Sequence, residues 1–549
     1  MRKRATFAIS SERPAGCKRV SVKCCSSVIA KAITSSQYLT SIPFRSAGSC
    51  DEIAKVARKL ILAFLCLLAG CKVGPNYHPP ALDIPEAFQK QVEDNYEALN
   101  LEWWQQFNDP VLEELIAEAL LNNQDVKIAA ANIENALGQL IQVRSQLFPQ
   151  IGYTEAFSRT LYSSNLTSNA ASNAVSATSS PLSQSTSAAA ALRATNPQSV
   201  WQSVLTGSWE IDLWGRIRRL SEAAAANAEA FYEARQGVIL SLVSSVANSY
   251  IQLRGLDEQL VVSLRTQKSY AEAVEYFDLQ FKYGQASEIL VAQAKTQYEI
   301  ASAQVPQLRY QILQVENVIN VLLARNPGPI ARGKSIYDLQ LPLIPAELPS
   351  ELLTQRPDIR QAEEQLIAAN AKIGAALALY YPSISLTGYY GGASLHLSNL
   401  FTGPSKTWNY TGTITGPIFT AGGIYGQVVQ AQATQQAALH NYQKTIQSAF
   451  ADVEDALYNH TMIKERLVAE ELLVKAAGNY ERLSELQYKG GYSPYFIVIQ
   501  AQQQYFPAQL SWAQTKALLF SSVVNIYRAM GGGWVTTARQ TADGIEPCL

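Results

Sequence analysis

The 549-residue chain is poor in the residues that most chemistry needs. Six of its seven cysteines (Cys17, Cys24, Cys25, Cys50, Cys66 and Cys71) lie in the first 71 residues, and beyond them only Cys548 remains. That excludes a disulfide framework and a cysteine-based metal site in the body of the chain. The four histidines, His78, His396, His440 and His460, show no HExxH pair and no ligand-like spacing, so no metal is expected. There is no Walker A loop, no GxGxxG after a strand and no GxSxG elbow. Positive charge is also missing where a nucleic acid would need it. Lys and Arg total 44 against 45 Asp and Glu, but residues 1–71 hold 12 basic and 3 acidic groups, leaving 32 against 42 in the rest. An acidic body argues against a nucleic-acid partner. With no catalytic constellation, neither an enzyme nor a cofactor is expected.

What is present begins with a processing signal. Lys55, Arg58 and Lys59 precede the apolar run Leu60 to Leu68, which is followed by Ala69, Gly70 and Cys71. A basic stretch, about ten apolar residues and small residues at a cut site read as a secretory signal too short to span a bilayer. Its ending resembles a bacterial lipobox, in which Cys71 becomes the lipidated first residue. We therefore expect a lipid on Cys71 to tether the chain to a membrane, each buried CH₂ contributing roughly 0.8 kcal/mol. Residues 1–50 are basic, Ser-rich and nearly free of acid, which in composition resembles a transit peptide. An over-extended gene start fits a following lipobox better, although no Met lies between Met1 and the lipobox.

The chain repeats itself. Asp125 and Pro149 have the same spacing as Asp358 and Pro382, and the stretch from Leu279 to Gly284 matches that from Leu486 to Gly491. Asn320 and Asn525 align near the end of each unit. We expect a leader and extension over 1–70, a lipidated start over 71–122, repeat one over 123–325, a Pro-rich linker over 326–350, repeat two over 351–535, and a tail over 536–549. Each repeat reads as helix, strand pair, very long helix, sharp turn, helix. Helices are expected at 123–147, 216–282 and 286–325, then at 356–380, 423–489 and 493–530, from Pro-free tracts with apolar residues at helical spacing. At ~1.5 Å per residue the long ones reach about 100 Å. Each pair of shorter helices sums to nearly the same length, so stacking them end to end beside the long one gives a continuous antiparallel layer.

Between the helices the pattern changes to strict alternation. Trp201, Leu205, Trp209, Ile211 and Leu213 oppose Gln202, Thr206, Ser208, Glu210 and Asp212; Trp408, Tyr410, Ile414 and Ile418 oppose Thr407, Asn409, Thr411, Thr413 and Thr415. Aromatic on one side and hydroxyl or acid on the other is the pattern of an outer-membrane barrel strand. With partners the strand pairs are 150–161/200–214 and 383–393/407–418. Four strands cannot close a barrel, and open edges cannot sit in lipid. Several chains must contribute; three copies give twelve strands, and strand arithmetic also allows two. The Ser/Ala/Thr/Asn-rich segment 162–199 falls where an outward loop belongs. Glu210 and Asp212 are pore-lining candidates, as polar lumen residues on such strands.

These residues resemble the TolC-like outer membrane efflux family, in its lipoprotein branch. The resemblance rests on Trp103-Trp104 with Phe107 and Asp109-Pro110, on Ser208 through Arg216 (SWEIDLWGR), on Arg356-Pro357-Asp358-Ile359 with Ala362-Glu363, and on Tyr381-Pro382-Ser383-Ile384-Ser385-Leu386. It implies a mixed α+β membrane protein, a homotrimeric 12-stranded β-barrel continued by a periplasmic α-helical barrel. It also implies an exit duct for drugs, metal ions or other small molecules, driven through a periplasmic adaptor by an inner-membrane transporter. The turns holding Tyr283, Gly284 and Ser287, and Gly490, Gly491 and Ser493, would be the adaptor-docking tip. Family members often carry aspartates six and nine residues after the tip glycine; here Leu290, Gln293, Ile497 and Gln500 stand there, implying an apolar or amide-lined gate. Two other readings stay open: a helical spacer lipoprotein of the envelope, and the outer-membrane channel of a type I secretion system.

Overall fold

The computed structural model describes residues 72–81, 102–161, 197–344 and 353–532. Cys71, the leader, residues 162–196 and the C-terminal tail with Cys548 lie outside the described residues. In chain order a short 3-10 turn (Trp103–Phe107) leads to α1 (Pro110–Asn122), α2 (Gln124–Ser145), β1 (Gln150–Thr160), β2 (Gln198–Ile211), α3 (Arg216–Lys282) and α4 (Glu288–Leu322). Then come α5 (Pro357–Ala378), β3 (Ser383–Ser394), β4 (Lys406–Thr415), α6 (Gly423–Lys489) and α7 (Tyr495–Ala529).

Helix lengths recur across the halves: 22, 67 and 35 residues in α2, α3 and α4, and the same three values in α5, α6 and α7. Both long helices start on a left-handed glycine, Gly215 (φ +80°) and Gly422 (φ +84°), a conformation that a Cβ resists. Both end at a second one, Gly284 (φ +70°) and Gly491 (φ +74°). There Gln285 N–H donates to Gln280 O (2.8 Å) and Tyr492 N–H to Gln487 O (2.9 Å), the six-to-one bond of a Schellman stop.

α3 packs along α2 and α4 on one flank and along α5 and α7 on the other, while α6 packs along α5 and α7. The layer is a row of four columns, two of them built from two helices end to end. The two joints are made alike. Asn123, the N-cap of α2, donates from Nδ2 to Leu322 O at the end of α4 (2.9 Å). Arg356, the N-cap of α5, donates from Nη1 to Ala529 O at the end of α7 (2.9 Å) and from Nη2 to Asp452 of α6 (3.0 Å). A donor there satisfies one of the carbonyls that a helix end leaves open.

A belt surrounds the middle of α3. Trp103 stacks on Tyr527 at 5.1 Å, and Phe107, Leu112 and Ile116 bury against Val243, Val246 and Tyr250. Asp109 caps α1 at Val111 N–H (3.0 Å) and accepts from Tyr250 Oη (2.8 Å) and Lys334 N–H (3.1 Å). The Pro-rich stretch after α4 packs on the same core, burying Ile330, Ile336 and Leu339. α4 itself ends on Ala324 at φ +57°, a left-handed site without glycine. Ala324→Gly is expected to stabilise the fold by about 1 kcal/mol, read as a raised urea midpoint at unchanged slope.

The four strands form one antiparallel sheet in the order β1-β2-β3-β4. The central pairing, β2 with β3, joins the two halves, with Trp201 opposite Ser394 and Ile211 opposite Ile384. β2 stops at Ile211, so Asp212, Leu213 and Trp214 lie past its end, because Asp212 turns back to cap α3. β4 stops at Thr415, three residues short of the expected end. Pro417 follows there and has no N–H to donate to a ladder.

Candidate functional site

The registers place Ile151, Tyr153 and Phe157 of β1, Trp201, Leu205 and Trp209 of β2, Ile384, Leu386 and Tyr390 of β3, and Trp408, Tyr410 and Ile414 of β4 on one face. The opposite face carries Thr154, Ser158, Gln202, Thr206, Ser208, Ser385, Thr387, Thr411 and Thr413. Strands of 10 to 14 residues with one apolar and one hydroxyl-rich face match what a bilayer and a wet lumen require. Exposure follows position in the sheet. Edge strand β1 is exposed along its whole length, and Tyr410 and Ile414 of edge strand β4 are 81% and 71% exposed. The helical layer shows the same asymmetry: α3 buries 25 of its 67 residues and α6, at the rim, buries 10.

Glu210 and Asp212 sit where the sheet bends into α3. Glu210 takes both Arg216 Nη2 contacts at 2.9 Å; Asp212 accepts from Arg218 N–H at 2.9 Å and from its Nε at 3.3 Å. Each carboxylate is thus neutralised by an arginine six residues on, and the pairs clamp the bend. Sequence alternation could place these acids on the polar face but carried no sign of the arginines' reach.

Lys72 lies beside this bend, against Gly215. Val73 N–H donates to Trp214 O (3.1 Å), and the segment then crosses α3 and α5. Arg219, 1% exposed, donates from Nε to Val73 O (3.1 Å), from Nη2 to Gly74 O (3.1 Å) and Asn76 Oδ1 (2.9 Å), and from Nη1 to Glu222 (3.0 Å). Gly74 (φ +97°) presses on Gly374 of α5, and Asn370 Nδ2 donates to Pro75 O (3.2 Å). The strap holds the residue after Cys71 at the sheet-to-helix boundary, next to the stacked pair Trp214 and Tyr381 (4.6 Å).

Acids collect where the strap ends. Tyr77 Oη donates to Glu363 (3.0 Å), and Arg360 Nη2 meets buried Glu233 (2.7 Å). Burial, with Glu229, Glu363 and Glu233 close by and only Arg360 opposing, pushes Glu364 up to about 7. A carboxyl whose folded pKa lies above its ordinary value near 4.5 favours the fold below that value and loses this contribution as pH rises through about 7. Glu364→Gln should therefore flatten the fall in melting temperature between pH 5 and pH 8, removing about 1 kcal/mol once solvent screening is allowed for.

At the far end of the helices Tyr283 and Tyr492 are 74% and 89% exposed. Ser287 caps α4 without a side-chain bond, Ser493 stands before Pro494, the N-cap of α7, and Gly490 keeps a negative φ of −79°. Phe277 of α3 packs on Tyr495 of α7 (4.3 Å) and on Tyr488 of α6 (6.1 Å), zipping the two hairpins together. Leu290 leans half-buried on this cluster, and Gln293, Ile497 and Gln500 are half-buried on α4 and α7.

A family model described as outer membrane efflux protein matches residues 115–325 and 348–532. The chain is 33% identical over 475 residues to the probable efflux pump outer membrane protein TtgC of Pseudomonas putida KT2440, covering 85% of this chain and 94% of TtgC. To the cation efflux system protein CusC of Escherichia coli O6:H1 it is 30% identical over 475 residues, covering 85% of this chain and 96% of CusC. The solved outer-membrane channel OprN superposes with a TM-score of 0.74 at 25% identity, covering 85% of this chain and all of OprN. A four-stranded sheet with one apolar face, carried on helices of 67 residues, thus belongs to a chain that is a member of the outer membrane efflux protein family, located in the outer membrane.

Proposed function

We propose that three copies of this chain close a twelve-stranded barrel and a helical tunnel, forming a passive exit duct from periplasm to exterior. The observation that carries this reading is the sheet itself. Among the described residues β1 and β4 have no further strand at their outer edges while the apolar face needs lipid, and closure with further copies satisfies both. The exposed rim helix α6 supports the same closure below the membrane. With no nucleotide site in the sequence, transport energy comes from an inner-membrane transporter through a periplasmic adaptor. The adaptor docks at the tip, on Tyr283, Gly284, Ser287, Gly490, Gly491 and Ser493. The cargo is small molecules: drugs, solvents or cations, as the names of the relatives suggest. Conduction, not catalysis, is the activity.

A lipid on Cys71 anchors each copy beside the strap. Native mass spectrometry of the detergent-extracted protein tests the assembly: a trimer of chains starting at Cys71, each with a lipid-sized mass increment, is expected. A detergent-independent, unlipidated monomer would overturn it.

The gate lies at Leu290, Gln293, Ile497 and Gln500, and without acidic rings it prefers cations only weakly. Gln293→Asp with Gln500→Asp should raise cation selectivity in planar bilayers several-fold, since a carboxylate ring in a narrow passage raises local cation concentration. Unchanged selectivity would place the constriction elsewhere.

A further inference from the structure

The end of the sheet away from the helices carries a groove that conduction does not use. Between β3 and β4 the chain folds back, with Leu400 buried against the sheet. The Leu400 carbonyl lies so close to Gly392 that any side chain there would unseat it. Under this fold runs a groove of about 440 Å³, lined by Tyr153, Leu205, Tyr390, Leu400, Phe401 and Lys406 among others. By register Tyr153, Leu205, Tyr390 and Lys406 all stand on the apolar face. The groove is therefore continuous with the lipid-facing wall, and Phe401, 84% exposed, projects beside it.

Its charge is specific. Lys406 Nζ lies 5.2 Å from the centroid of the Tyr390 ring. The single acid of the lining, Glu155, accepts from Ser203 Oγ at 2.7 Å. Glu155 is thus engaged on β1, and Lys406, three strands away on β4, is the cation of the lining, above a pocket of ring and aliphatic carbon.

We propose that this groove binds one acyl chain of a phosphate-bearing glycolipid of the outer leaflet, with the phosphate held by Lys406. A neutral lipid would satisfy the carbon and leave the ammonium unused; a soluble anion would do the reverse. The inference rests on the outer-membrane location and on barrel closure, but the test separates them.

The experiment uses the full-length protein extracted from outer membranes in mild detergent, with native mass spectrometry of the trimer before and after adding back purified outer-membrane glycolipid or phosphatidylethanolamine. One glycolipid per chain is expected on the wild type and on Lys406→Arg. At least fivefold lower occupancy is expected in Lys406→Glu, and the same loss in Leu205→Trp, which fills the groove and keeps the charge. Equal occupancy in Lys406→Glu would overturn the proposal, as would phosphatidylethanolamine binding as well as the glycolipid. So would glycolipid bound only after residues 162–196 are deleted, since that segment would then be the occupant. A conducting wild-type trimer with no glycolipid would sink this inference alone and leave the duct standing.

Discussion

Gly391→Val is expected to remove the protein from the outer membrane as an assembled channel. Gly391 lies opposite Val204 in the β2–β3 pairing, and a Cβ there would come within 2.6 Å of Val204 Cα while colliding with the Ser203 carbonyl. Neither obstacle is a side-chain end that can swing aside. The pairing would have to open, and it is the one ladder joining the two halves of the sheet. Two separate hairpins are marginal in water and inadmissible in lipid. Semi-native gels of outer-membrane fractions should show the trimer band lost, with the chain degraded or monomeric. Gly207→Ala is the control, because a Cβ on Gly207 meets nothing within 4 Å. A normal Gly391→Val trimer would mean that the halves are held by their helices alone.

Arg219→Met should cost about 3–5 kcal/mol and free the strap. The guanidinium makes three bonds to residues 73, 74 and 76, and bonds from a charged donor contribute about 1.5–3 kcal/mol each, less what water restores once the strap lifts. Limited trypsin digestion would show cleavage after Lys72 rising at least tenfold over wild type while the trimer persists. Arg219→Lys keeps the charge but not the forked geometry and should fall between the two. An unchanged cleavage rate would show that the Gly74–Gly374 crossing and the Asn370–Pro75 bond hold the strap without the arginine.

Much of this architecture is written in local patterns. The two 67-residue helices coincide with Pro-free tracts closed by glycine at each end, and a period of two marks the strands whose faces the registers share. α4 and α7 begin two residues later than expected, because the chain spends Gly284 to Ser287 and Gly491 to Pro494 on the reversal. What was not legible depends on contacts distant in sequence. The β2–β3 ladder joins residues nearly two hundred apart, and no local pattern names that partner. Helix α1, absent from the expected helices, carries its own local signal: Asp109 before Pro110, an N-cap and a first-turn proline. The Pro-rich stretch after α4 is non-helical, as its prolines require, but no local pattern shows that its isoleucines reach a core made by other elements. Alternation reports a face and not a partner, so the arginines that pair Glu210 and Asp212 leave no local sign.

The end-to-end joints have a consequence for how such a duct can change. In each half a helix of 67 residues runs beside two helices of 22 and 35 that meet end to end at Asn123 or at Arg356. The reach of the tunnel is thus written four times in each chain. A heptad inserted into α3 alone would push one column past its neighbours and pull both tip turns out of line. Lengthening the conduit requires matched insertions in α3, α4, α6 and α7 at once. Single insertions and deletions in these helices should therefore be purged, while the segment between β1 and β2 is free to vary, and the tip turns are held at a fixed height below the membrane.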